Sequence, residues 1–232
     1  MLKKTENIQF IFNKNNNINI HLKKKIEKYW EHFSQKKPDL FNGNVLLVNN
    51  IKKSYKNFTI NITIGNFAEI IYAKLVRKIK RRGLFSGGYI ITSDDYICFV
   101  KDNNNSINLV GGMATDEDLE NNKYNPEQCL IREIKEELGI DIRNKYFKYR
   151  LKYLRYPTGF ERFKKHYSVG LIYEIKTKYK KQDIRDLFNN KKHDKEIKSL
   201  IFLKKDQFKN LKKYKKRKYI YNLSKLIYKE YR

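Results

Sequence analysis

The stretch 125-NPEQCLIREIKEELGI-140 decides how this chain is read. It carries four glutamates, with Asp141 immediately after, in a protein whose net charge is +27. Its helix signals are complete. Asn125 is a good N-cap, Pro126 suits the first helical position, and Gly139 stands where a left-handed C-cap is needed. Cys129, Ile131, Ile134 and Leu138 recur on one side and form the expected buried stripe. Glu133, Glu136 and Glu137 stand at i, i+3 and i+4, so their carboxylates share one patch of surface. Such a patch works against stability. Like charges at that spacing cost roughly 0.2–0.5 kcal/mol, and the helix dipole opposes acids toward the C-terminal end. Arg132 offsets part of the cost through Glu136.

Working outward, residues 112–141 hold nine acids against three bases, a local charge of −6. The rest of the chain points the other way, with 52 Lys and Arg against 25 Asp and Glu overall. A divalent cation accounts for the cluster, because hard oxygen ligands on a rigid helix are what Mg²⁺ or Mn²⁺ requires. The general basicity has two readings, and both stay open. It suits a polyanionic partner such as RNA. It also suits compositional drift, since the chain is rich in Asn, Ile and Tyr and prefers Lys to Arg.

Hydrophobic residues make up 40% of the 232, which excludes a disordered chain and suffices for a sizeable core. The sequence has no apolar run of the ~18 residues needed to span a bilayer, and its start has no apolar segment of signal-peptide type. Cys98 and Cys129 are isolated, which argues against a zinc site and a disulfide framework. The expectation is a cytoplasmic protein with no membrane partner.

The remaining pattern organises the chain around this helix. A helix is expected over 20–35, strands over 45–48 and 58–64, and a helix over 67–80 ending in the basic run KIKRR (78–82). A junction is placed there, giving an N-terminal α+β region (1–82) and a second domain (83–232). The second domain opens with a short β-meander, 84–91, 96–100 and 107–110, and reaches Gly111-Gly112. A polar, acidic loop (113–124) leads into the helix. Strands are expected at 146–156, 166–175 and 197–203, and a basic amphipathic helix at 207–231 with Phe208, Leu211, Ile220, Leu223 and Ile227 inward. This order is an α/β layered arrangement.

Arg132-Glu133-Ile134-x-Glu136-Glu137-x-Gly139-Ile140 matches the second half of the Nudix box, GX5EX7REUXEEXGU, where U is aliphatic. Gly111-Gly112 after a strand resembles its opening glycine. The resemblance covers about 84–203 and implies a Nudix α/β/α sandwich with a mixed sheet. One departure stands out. The box has 13 residues between its Gly and Arg, and here 113–131 make 19, an excess of six. Counted forward from Gly112, the first Glu of the box falls on Asp118; counted back from Arg132, it falls on Tyr124.

The resemblance implies metal-dependent hydrolysis of a nucleoside-linked pyrophosphate. Glu133, Glu136 and Glu137 would then be metal ligands for Mg²⁺ or Mn²⁺, with the Gly112 carbonyl added, and Arg132 would orient the carboxylates. Glu196 is the candidate base from a later loop, with Asp194 second; Glu133 is an equal alternative. His166 and His193 are read as surface residues.

Two resemblances bear on the substrate. PEQCLIREIKEELGIDI with HDKEIKSLIFL is similar to poxvirus-type mRNA-decapping Nudix enzymes, which implies capped RNA as partner. Tyr156, Phe160, Phe163 and Tyr167 could then stack on the cap base, though hairpin packing explains such aromatics too. Those enzymes carry a helical insertion in the early sheet that is lacking here. The N-terminal pattern Trp30…PDLFNG (38–43) is similar instead to Nudix hydrolases acting on UDP-sugars. A third reading, a binding module without catalysis, is opposed by the complete set of box glutamates.

Overall fold

A computed structural model describes residues 2–156, 168–190 and 196–204, together with positions 207, 220, 222, 223, 226, 227 and 230, apart from 5, 6, 17, 38, 39, 41, 56, 77, 78 and 80. The N-terminal part contains β1 (Leu2–Lys4), β2 (Asn7–Phe12), α1 (Ile20–Gln35), β3 (Asn44–Ser54), β4 (Asn57–Asn66) and α2 (Phe67–Val76). Then follow β5 (Leu84–Ile91), β6 (Ile97–Asp102), β7 (Ile107–Asn108) and β8 (Val110–Met113). A tight 3-10 turn, Asp116–Asp118, leads to β9 (Leu119–Glu120), β10 (Lys123–Tyr124) and α3 (Pro126–Leu138). The chain continues through β11 (Phe147–Arg155), β12 (Val169–Thr177), α4 (Lys181–Asn189) and β13 (Ile197–Leu203).

Eight strands form one mixed sheet with the path β1-β11-β12-β5-β6-β13; β7 adds to β6 and β8 to β5. β12 and β5 are parallel and the other pairs antiparallel. Side chains alternate across this sheet, as the pleat demands. Leu84 and Ile90 of β5 join Leu171, Tyr173 and Ile175 of β12 on one face, beneath the buried stripe of α3. Tyr89 of β5 and Ile172 of β12 face the other way, where Ile220, Leu223 and Ile227 are fully buried. The sheet thus lies between helical layers, an α/β/α sandwich. Phe208 and Leu211, also expected inward, lie outside the described residues.

The second face is closed by charge as well as by apolar packing. Glu174 of β12 is buried; it accepts from Tyr89 at 3.3 Å and is bridged by Arg150 at 2.7 Å. Glu230 bridges Lys4 of β1 and Lys152 of β11, each at 2.7 Å, so both chain ends are tied to the same sheet edge.

A second sheet, β2-β4-β3, carries α1 and α2. Leu46, Val48, Phe58, Ile60 and Ile62 of this sheet pack into the same core cluster as α3. Main-chain bonds extend the contact: Leu46 N donates to the Ala114 carbonyl and Val48 N to that of Arg82, both at 2.7 Å. Among the described residues no helix is long and apolar enough to cross a membrane.

The helices expected at 20–35 and 126–138, and the strand at 197–203, have the expected bounds. Several elements were not expected. β1 and β2 are short strands in a polar, Asn-rich start, and α4 is a nine-residue helix that buries Ile184 and Phe188. A hairpin inside the supposed loop 113–124 is another, and it bears on the site.

Candidate active site on the acidic helix

The helix is held at both ends by local chemistry. Asn125 Oδ1 accepts from the amides of Glu127 and Gln128 at 3.1 and 3.3 Å, and Gly139 closes the far end at φ 67°. Cys129, Leu130, Ile134 and Leu138 are wholly buried, and α3 packs across β5 and β8. Each buried Leu or Ile contributes about 2 kcal/mol of apolar burial, enough to hold an unfavourable acidic face in place.

Arg132 is the hub of that face. Its Nε and Nη2 donate to Asp118 Oδ1 and Oδ2 at 3.2 and 3.0 Å, and Nη2 also reaches the Met113 carbonyl at 3.1 Å. Its Nη1 meets Glu133 Oε1 at 2.9 Å and Glu136 Oε2 at 3.1 Å. Three carboxylates therefore share one guanidinium. Asp118 is fully buried and also accepts from the Thr115 amide at 2.9 Å, so this side of the fork is fixed. The glutamate side opens outward, with the Glu136 side chain 55% exposed.

This geometry resolves the box alignment. The residue paired with Arg132 is Asp118, six positions after Gly112, as the forward count requires. Tyr124, the backward candidate, does something else. Its hydroxyl lies 2.9 Å from Ser86 Oγ, and its ring meets Phe10 of β2 edge-on at 4.8 Å. The surplus residues are the hairpin β9–β10, residues 119–124, turned by Asn121 and Asn122 at φ 49° and 61°. Its ends meet, because Asn125 N donates to the Asp118 carbonyl at 3.0 Å. Asp116 is occupied separately, accepting from Asn44 at 2.8 Å.

Glycines let the carboxylates reach the main chain. Gly111 sits at φ 129°, and a Cβ there would strike the Ser86 carbonyl and the Gly87 backbone. Its amide donates to Glu137 Oε2 at 2.7 Å. At Gly112, the space a Cβ would fill is taken by the Glu133 carboxylate. The Glu133 carboxyl is raised to about 7, chiefly by burial; Arg132 pulls it down, while Glu136 and Asp118 add to the rise.

The expected residues therefore separate. Glu133 and Glu136 come together at Arg132, and Glu137 turns to Gly111. Among the described residues no three His, Cys, Asp or Glu converge as a ready cage for an ion. The donor set still fits a hard divalent cation: a desolvated carboxylate against bare backbone, beside a second that is open to solvent. Glu196 is exposed and immediately precedes β13. Tyr156 is half-buried and packs on Phe58 at 5.3 Å. Phe160, Phe163, Tyr167, Asp194, His166 and His193 lie outside the described residues. The sequence left the box's first acid open between Asp118 and Tyr124; an acid at the forward count was the one signal for Asp118.

Gly112→Ala should force Glu133 out of its place. The neighbour is the end of a flexible side chain, so the fold should persist. Mn²⁺ affinity, measured by titration calorimetry, should drop ~10- to 100-fold, the range typical when a metal site's supporting shell is disturbed. Unchanged affinity would show that Glu133 does not need this position.

The NUDIX domain family matches residues 88–223, more than half of the chain. No curated protein is similar enough to count as a match. Similar solved structures include a Deinococcus radiodurans protein at 14% identity and TM-score 0.43, covering 62% of this chain and 81% of that one. A NUDIX-family hydrolase from Clostridium perfringens shows 17% identity and TM-score 0.41, over 66% of this chain and 100% of that one. The NUDIX domain of Shewanella oneidensis NrtR, solved with ADP ribose, shows 14% identity and TM-score 0.39, over 62% and 86% respectively.

Proposed function

This chain belongs to the NUDIX domain family and is a pyrophosphohydrolase, and from that premise we propose that its substrate is the 5′ cap of mRNA. Nudix hydrolases use divalent ions such as Mg²⁺ or Mn²⁺. In this reading Glu133, Glu136 and Glu137 hold the ion, with the Gly112 carbonyl beside them. When bound, the ion neutralises the diphosphate and acidifies a coordinated water. The chain's own groups do the rest. Asp118 fixes Arg132, and Arg132 holds Glu133 and Glu136 in register until substrate arrives. Glu196, or Glu133, accepts the proton from the attacking water. Water adds across one P–O–P bridge, leaving a methylated guanosine diphosphate and RNA with a 5′ monophosphate. Residues 1–82 form an accessory α+β region and 83–232 the catalytic domain, working in the cytoplasm.

The observation that carries the hydrolytic reading is the group of three carboxylates sharing Arg132, one of them desolvated against Gly112. The choice of capped RNA rests on the contrast between that −6 segment and a chain of +27: a negative site to take cations, within a surface that favours a long polyanion. The UDP-sugar reading drew on the PDLFNG segment. Two of its groups are spent on structure, since Asn42 Oδ1 accepts from Ala68 N at 2.8 Å and the Gly43 carbonyl from Phe67 N at 3.1 Å, starting α2.

The test offers the protein, with Mg²⁺ or Mn²⁺, either cap-labelled RNA or UDP-glucose. Release of labelled methylated guanosine diphosphate, suppressed by raised salt, is the expected result. Turnover of UDP-glucose with capped RNA untouched would overturn the choice of substrate.

A further inference from the structure

The β3–β4 ladder slips once. Val48 pairs with Ile62 and Asn50 with Asn61, so Asn49 is the extra residue of a bulge. Bulges re-aim a side chain, and Asn49 here meets the end of β2. β2 stops at Phe12, and Asn13 N adds one more bond, to the Ile62 carbonyl at 2.8 Å. Phe12, Asn13, Lys14, Asn15 and Asn49 line a pocket of about 430 Å³.

A buried acid holds this pocket together. Glu69, in the first turn of α2, has a side chain only 5% exposed. Its Oε1 accepts from Asn16 Nδ2 at 2.9 Å and from Asn66 N at 3.1 Å, and its Oε2 meets Arg81 Nε at 3.1 Å. Arg81 Nη1 in turn donates to Asn49 Oδ1 at 3.4 Å. One carboxylate thus fixes Asn16, which follows Asn15 at one wall, and Arg81, which supports Asn49 at the other. A connected polar network of this kind sets the lining before a ligand arrives, which lowers the entropy lost on binding.

The lining selects the ligand. It carries no acid, and Lys14 is exposed, with Arg81 behind Asn49. Positive charge favours phosphate. The Asn amides both donate and accept, as the edge of a base requires, and the half-buried Phe12 ring offers a flat apolar face. The volume suits a small organic ligand rather than a lone anion. Together these groups fit a nucleotide unit. The pocket also lies near the α3 carboxylates, because β3 serves both. Leu46 N bonds the Ala114 carbonyl, and the carbonyl of the preceding residue, Met113, accepts from Arg132. Asn49 is three residues further along β3, about 10 Å at the rise of a strand.

We propose that this pocket binds one nucleotide of the RNA body, with its base against Phe12 and the Asn amides and its phosphate toward Lys14 and Arg81. The inference rests on the reading of capped RNA as substrate and adds a second hold on the same strand.

The test measures affinity of the full chain for an uncapped, labelled single strand of about ten nucleotides by fluorescence anisotropy. EDTA in the buffer keeps the readout independent of turnover. Lys14→Glu should weaken binding ~10-fold or more and flatten the salt dependence by ~0.7 in slope, the share of one phosphate contact. Asn49→Leu changes no charge and should weaken binding ~2- to 10-fold, the range for losing one hydrogen bond. Both positions are exposed, so melting temperatures should stay at the native value. Lys198→Glu makes the same charge change on β13 and should cost less than about 2-fold. Native affinity in either pocket variant, or an equal loss in Lys198→Glu, would overturn the proposal. Displacement of the strand by an equal concentration of adenosine monophosphate would overturn the assignment to RNA. The two readings fail separately. RNA held through the pocket by a protein that leaves caps intact would sink decapping alone. Cap cleavage, with both pocket variants binding RNA as the native chain does, would sink the pocket alone.

Discussion

Replacing Arg132 with methionine should cost about 3 kcal/mol of stability and remove hydrolysis. Asp118 is fully buried, and Arg132 gives it two hydrogen bonds. Taking the guanidinium away leaves a carboxylate in the core that has lost its two charged hydrogen bonds, with the Thr115 amide still donating to it. That uncompensated charge is the costly part, more than the lost attraction. Arg132 is 20% exposed, which puts the effect at the lower end of the range for buried pairs. Thermal unfolding should show a drop of ~6–12 °C. The double variant Asp118→Leu/Arg132→Met removes both charges and should recover most of the stability, because an apolar pair of similar volume is tolerated where a lone charge is not. Hydrolysis should stay lost in the double variant, since Glu133 and Glu136 no longer share a guanidinium. A stable and active double variant would refute the positioning role.

Glu136→Gln should have a comparable effect on turnover and almost none on the fold. Its side chain is 55% exposed and pairs with Arg132, which keeps Asp118 and Glu133. Stability should therefore match the native chain in a thermal melt. The kcat/KM for the preferred substrate should fall by at least ~10²-fold, as expected when a group that stabilises developing charge is neutralised. Turnover within a few fold of native would remove Glu136 from the metal face.

The two variants separate what was legible in the sequence from what was not. The helix could be read because its signals are local: a cap, a proline, a glycine and a stripe of period 3.6 all lie within its own residues. That three glutamates would share a helix face followed from spacing alone. Their division of labour did not. Whether Glu137 turns to Gly111 or joins the others depends on the bare backbone of β8, which reaches α3 only through the sheet. The pairing of Asp118 with Arg132 was likewise hidden, because it joins positions whose separation had been altered by an insertion. β2 and β10 touch through Phe10 and Tyr124, more than a hundred residues apart, and nothing in either segment announces the other. α4 went unread for a different reason: it is short and flanked by lysines, and only Ile184 and Phe188 mark its inner side.

The hairpin at 119–124 has a consequence for how sites of this kind are recognised. A sequence pattern measures contour length, the number of residues between two chemical groups. The site depends instead on end-to-end distance. Here the Asp118 carbonyl and the Asn125 amide are bonded at 3.0 Å, so the six residues between them form a closed detour. They lengthen the path from Gly112 to Arg132 without displacing either end of it. The detour is also anchored, through Tyr124 to Ser86 and Phe10. Such a detour could change in length by whole cross-strand pairs while Asp118 and the helix N-cap kept their places. The gap in the box is then a surface variable, free to be altered by selection on whatever meets β9 and β10 from outside.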